Sequence, residues 1–152
     1  MNPWEMRKAA ITALAEGNEA DYAAYRALYD ESDADTEFDL LYHTVAACLA
    51  HRLGPPAAGT DRNALGRLMA ELRACGPRWR PPCNFLEVEA LIRGLRGRVH
   101  LVGEIPDNRL PALLRFLLRY LHGTEPEIAD RFGAVLDQAR DAVLRNVIGI
   151  RT

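Results

Sequence analysis

The chain has 152 residues, about half of them hydrophobic, and a formal net charge of -2. That is enough for one core without metal or disulfide help, so a single domain over 1–152 is expected. The near-neutral balance argues against a nucleic-acid carrier, and no apolar run reaches membrane length.

Eighteen of the nineteen basic residues are Arg, Lys8 being the exception. Arg grips phosphate and carboxylate in bidentate fashion, but GC-rich coding in a bacterium raises Arg, Ala and Gly together and accounts for the same excess. Charge is uneven: residues 1–39 hold ten acids and three bases, residues 61–98 eight Arg and four acids. The asymmetry fits internal pairing or a charged partner surface. Three cysteines (Cys48, Cys75, Cys83) and the lack of a secretory apolar region point to a reducing cytoplasm. Met1 leads straight into a helix start, so no targeting segment is expected.

In chain order, Asn2-Pro3-Trp4-Glu5 has the pattern of a capping box and opens a first helix to about residue 16. Gly17 ends it and Asn18 caps a second, about 19–30, which carries Tyr22, Tyr25, Leu28 and Tyr29 at helical spacing. An acidic linker follows, with Thr36 as the expected cap of the third helix. That helix, 37–53, contains the least polar stretch of the chain, Leu40 to Ala50. It is apolar on more than one face and is expected to be the central element. Gly54-Pro55-Pro56 stops it. A fourth helix, about 61–75, repeats Leu65, Leu68, Met69, Leu72 and Cys75. Next comes the loop Arg78-Trp79-Arg80-Pro81-Pro82-Cys83, then a second capping box, Asn84 with Glu87, opening a fifth helix with Val88, Leu91, Ile92 and Leu95 on its apolar face.

Residues 98–105 and the tail Val147 to Ile150 alternate weakly, allowing at most one minor β pairing; both are read as connecting segments. Asp107 or Asn108 is the expected cap of a sixth helix. Its leucines, 110 to 121, cover two sides, with Phe116 and Tyr120 outside the stripe. Such a helix is either a second central element or half of a dimer interface. Thr124-Glu125-Pro126-Glu127 is read as a capping box for a seventh helix, about 125–146. The expectation is an all-α fold: six or seven helices in consecutive antiparallel hairpins around helix 37–53.

Chemistry is sparse. There is no glycine-rich phosphate loop, no nucleophile elbow, and Ser32 is the sole serine. Asp39 and His43 lie one turn apart and could share a metal, but no Glu-x-x-His or His-Glu-x-x-His pattern is present, and Cys75 and Cys83 lack zinc spacing. No metal or cofactor is expected, and the reading leans away from an enzyme.

The lead expectation is a cytoplasmic protein–protein interaction module that also pairs with itself as a homodimer. Its expected contacts are Arg78, Trp79, Arg80, Arg96, Phe116 and Leu118, because Trp and Arg anchor interfaces and the prolines stiffen the loop. Arg73, Arg93 and Arg98 would extend the basic surface. The bland counterpart has Trp79 folded back over its own core with both arginines solvated. The alternative function is a small-molecule sensor or small enzyme with a pocket between helices near His43, lined by Tyr22, Tyr25, Tyr42 and His43. Neither a membrane nor nucleic acid is an expected partner.

Overall fold

In the computed structural model, which describes residues 2–28, 34–56, 61–76, 79–82 and 84–151, the chain begins as its first residues predict. Asn2 Oδ1 accepts from the Glu5 amide at 2.8 Å, and the Glu5 carboxylate accepts from the Asn2 amide at 3.4 Å. This capping box opens α1 (Pro3–Glu16). Gly17 closes it at φ 75°, a conformation that disfavours side chains, and Asn18 Oδ1 takes the Asp21 amide to start α2 (Glu19–Arg26). α2 buries no residue fully and leans mainly on α1. Tyr29 lies outside the described residues.

The next helix, α3 (Ala34–Leu53), starts earlier than expected. Thr36 is therefore inside its first turn and is not its cap, because Ala34 and Asp35 already continue the helix. Leu40, Leu41, Val45, Cys48 and Leu49 are buried along it. Thr44 is buried too, and its hydroxyl is satisfied within the helix by donating to the Leu40 carbonyl at 2.6 Å. α3 packs against three further helices: α5 (Phe85–Leu95), α6 (Leu110–Thr124) and α8 (Phe132–Arg151).

Arg96 was expected on a partner surface, and the structure corrects this. It is 7 % exposed, and its guanidinium donates to the carbonyls of Gly54 at 2.7 Å and Leu53 at 3.5 Å. The last carbonyls of a helix lack partners and carry partial negative charge, so a cation suits them. Arg96 thus closes the end of α3 rather than facing outward.

α4 (Arg62–Ala74) is capped by Asp61, and buries Leu65, Leu68, Met69 and Leu72. α5 is capped by Asn84 and buries Val88, Leu91, Ile92 and Leu95. Glu87 does not complete a capping box; it pairs with Arg109 at 3.1 Å. Residues Val99–Glu104 form a 3-10 helix, not an extended segment, lying against α5 where Gly94 leaves room for Val102.

α6 has neither expected cap: a turn in which the Arg109 amide donates to the Pro106 carbonyl precedes it, and no side chain caps it. It packs on both α1 and α3. Leu113, Leu114, Leu117, Leu118, Tyr120 and Leu121 are all buried by this chain itself. Leu118, at 0 % exposure, is consequently a core residue and not the partner contact expected. Tyr120 joins it inside.

The seventh helix of the sequence reading is two. α7 (Pro126–Asp130) ends at Arg131, and α8 follows through Arg151, so the tail is helical. The expected Thr124 cap fails because Thr124 still belongs to α6, its hydroxyl donating to the Tyr120 carbonyl at 2.7 Å. Glu125 is instead held by Arg52, which also bonds Glu71 at 2.6 Å, tying α3 to α4 and to the start of α7. The described residues are thus all-α, with eight α-helices and no strand among them. None of the described helices is long and apolar enough to cross a membrane.

Candidate recognition cleft

Trp79 follows α4, in the loop that the prolines stiffen. Its amide donates to the Gly76 carbonyl at 3.0 Å, which turns the chain back towards α6. The indole meets Tyr120 edge-on, centroids 5.5 Å apart at 88°. It also lies over Gly123, where an added Cβ would stand 3.0 Å from the ring. Trp79 therefore sits on its own core while remaining half-buried. Tyr120 in turn accepts from the Cys75 thiol at 3.7 Å and stacks with Phe116. Burial, reinforced by Cys75, pushes its phenol pKa up, so it stays protonated.

From Trp79 a cleft of about 750 Å³ runs to the α1–α2 corner. One wall is Trp79, Arg80 and Pro82. The floor is the outward face of α6, with Pro111, Ala112, Arg115, Phe116 and Arg119. The far rim is Leu14, Gly17, Glu19 and Tyr22. Arg115 and Arg119 stand one helical turn apart, where like charges repel. Each is steadied by an aromatic ring instead of an acid. The Arg115 guanidinium lies 5.3 Å from the Tyr22 ring centroid and donates to Tyr22 Oη at 3.3 Å. The Arg119 guanidinium lies 6.0 Å from the Trp79 centroid. It also fills the space beside Gly17, where any Cβ would meet it at 2.7–2.9 Å. Such ring contacts contribute about 0.5–1 kcal/mol at exposed sites.

Tyr22 is the hinge of a chain of bonds. Its hydroxyl donates to Glu37 at 2.5 Å, and the other Glu37 oxygen pairs with Arg26 at 2.9 Å. Burial, then the Glu37 bond, raises the Tyr22 pKa, so it remains a neutral donor and acceptor. Glu37 is thus consumed by Tyr22 and Arg26. Among the described residues Arg80, Arg115 and Arg119 have no acidic partner within the chain. Glu19 is the one acid lining the cleft, which leaves it with an excess of two positive charges.

The residues expected at a site are thereby redistributed. Trp79, Arg80 and Phe116, read as partner contacts, meet Tyr22, read as a ligand contact, in one cleft. Arg78 and Cys83 lie outside the described residues. The Tyr22, Tyr25, Tyr42, His43 set does not form one pocket. Tyr25 lines a shallower groove of about 450 Å³ between α1 and α2, beside Glu5, Glu16 and Asp21. Tyr42 and His43 meet edge-to-face, 5.3 Å apart, away from both hollows. Arg73, expected nearby, lies over Phe85, and Arg93 pairs with Glu89 at 3.6 Å. Arg115 and Arg119 were missed because arginines on a helix usually read as a solvated face. The available signal was their i, i+4 spacing around Phe116 with no acid one turn away.

Among the described residues, no three His, Cys, Asp or Glu side chains gather as a metal site. Two half-buried histidines do predict a pH response. Burial lowers the pKa of His43, against Asp39, and of His122, against Glu16. His122 packs edge-on to Phe132 at 4.9 Å. The unfolded chain then takes up protons more readily than the folded one, so their stabilisation is present above the unfolded histidine pKa and lost as pH falls. Thermal melts between about pH 7 and pH 5 should show falling stability, and His43→Gln with His122→Gln should flatten that slope. An unchanged slope in the double variant would refute the assignment.

Comparison with protein-family models, with curated proteins and with solved structures finds no match for this chain.

Proposed function

We propose that this protein is a non-enzymatic recognition module whose cleft takes an acidic segment of a partner protein. The observation that carries this reading is the convergence of Arg80, Arg115 and Arg119, without acidic partners among the described residues, on a trough walled by Trp79, Phe116 and Tyr22. Arg115 and Arg119, held on aromatic rings, are preorganised for carboxylates, which arginine binds bidentately. The aromatic walls supply the apolar anchor that interface hot spots use. The titratable lining is arginine, one tyrosine kept neutral and the exposed Glu19, so no nucleophile or tuned acid–base pair is present in the cleft.

A fluorescein-labelled oligoglutamate should bind saturably at low ionic strength, read by anisotropy, and release as salt rises. Each charge-assisted contact is worth about 1.5–3 kcal/mol, or at least about tenfold in Kd. Arg115→Glu with Arg119→Glu should therefore weaken binding about 100-fold or more while leaving the helical circular dichroism unchanged. Equal affinity in the folded double variant would rule out the cleft as the site.

A further inference from the structure

Resting on that reading of the cleft, we infer that the acidic segment it takes is the α1–α2 corner of a second copy of this chain, in a twofold pair. The corner runs from Glu16 to Asp21 and places three exposed carboxylates, Glu16, Glu19 and Asp21, within six residues. Among the described residues none of the three pairs with a Lys or Arg, and His122, whose charge Glu16 would favour, is pushed towards its neutral form by burial. Asp21 is bonded only locally, to Asn18 at 2.8 Å. Three unpaired carboxylates therefore match the three arginines of the cleft in number and in sign.

Position makes the match reciprocal. Gly17 and Glu19 belong to the rim of the same cleft whose floor holds Arg115 and Arg119. A twofold interface brings one patch against its own copy, so residue i meets j and j meets i. Glu19 on that rim, with Glu16 and Asp21 in the neighbouring groove between α1 and α2, stands beside the basic floor, so a twofold pair sets each copy's acids over the other copy's arginines. An exposed apolar component accompanies the charges. α2 has no fully buried residue: Tyr25 on it is half-buried, and Leu28, in the turn just beyond its end, is 62 % exposed. These give the contact the desolvated area that charge pairs alone lack.

The test is charge-swap complementation read by native mass spectrometry, with circular dichroism as the control for folding. One variant carries Glu16→Arg and Glu19→Arg; Asp21 is left alone because it is bonded to the cap of α2. The other carries Arg115→Glu and Arg119→Glu. The wild type is expected at twice the 16.9 kDa chain mass. Each variant alone should be monomeric, since like charges then face each other at both contacts. Their equimolar mixture should form a one-to-one heterodimer, because both contacts regain opposite signs. A monomeric wild type that still binds oligoglutamate would overturn the self-association and leave the cleft reading standing. A wild-type monomer that does not bind the peptide would sink both. A mixture that stays monomeric, a dimer indifferent to all four changes, or a mass growing beyond the dimer would each overturn the twofold pair.

Discussion

Leu118→Asp is expected to leave the chain unfolded at 25 °C. Leu118 is fully enclosed on α6, and α6 is covered by both α1 and α3. The change forfeits the burial of a leucine, about 1.5–3 kcal/mol, and places a carboxylate inside the apolar core. An unpaired buried charge costs several kcal/mol more. A domain of this size has about 5–15 kcal/mol in total. Far-UV circular dichroism should therefore lose its helical signal. Leu118→Ala should stay folded but lose about 2–5 kcal/mol in a denaturant titration. A folded Leu118→Asp protein would mean that this position faces outward, as the two-sided leucine pattern alone allowed.

Gly94→Val is expected to destabilise the fold by more than the usual overpacking cost of about 1–3 kcal/mol. A Cβ at residue 94 would stand 2.3 Å from Val102 Cγ2 and 3.2 Å from the Val102 amide nitrogen. The second contact is with backbone, so the whole 3-10 segment must shift. Propensity points the other way: alanine is better than glycine inside a helix by about 1 kcal/mol. Gly94→Ala thus decides the sign. Packing predicts a lower melting temperature, by about 2–4 °C for each kcal/mol lost. Val102→Ala should recover part of the loss, because it removes the nearer contact. A more stable Gly94→Ala protein would show that the 3-10 helix does not rest on α5 as described.

These two sites illustrate what local pattern reveals. The stripes of α4 and α5 are plain in the sequence because each helix buries one face against this chain, and the 3.6-residue period reports it. The asparagine caps at residues 2, 18 and 84 are equally plain, since their bonds lie within one turn. Thr124 fails as a cap, and helix 125–146 breaks at Arg131, because remote partners decide there: Arg52 takes Glu125, from another helix. The broad leucine face of α6 says that two sides are covered without saying by what.

The cleft was half legible for the same reason. Trp79, Arg80, Phe116 and Tyr22 stand out by residue type, yet nothing local says that the Trp79 loop and the α1–α2 corner meet across α6. Arg115 and Arg119 look like ordinary solvated arginines until Tyr22 and Trp79 are seen beneath them. His43 attracts notice as a polar residue in an apolar run, and it lies against Tyr42 rather than in a shared pocket with Tyr22 and Tyr25.

Trp79 offers the most direct measurement of the central claim. The chain has two tryptophans, and Trp4 lies apart from the cleft, with Arg140 4.6 Å and Lys8 5.8 Å from its ring. In a Trp4→Phe protein all tryptophan emission comes from the cleft wall. Titration with unlabelled oligoglutamate at low salt should change that emission saturably, with the same midpoint as the anisotropy curve, and salt should reverse it. Peptide binding that leaves the Trp79 emission unmoved, or no binding by the monomeric chain, would contradict the account.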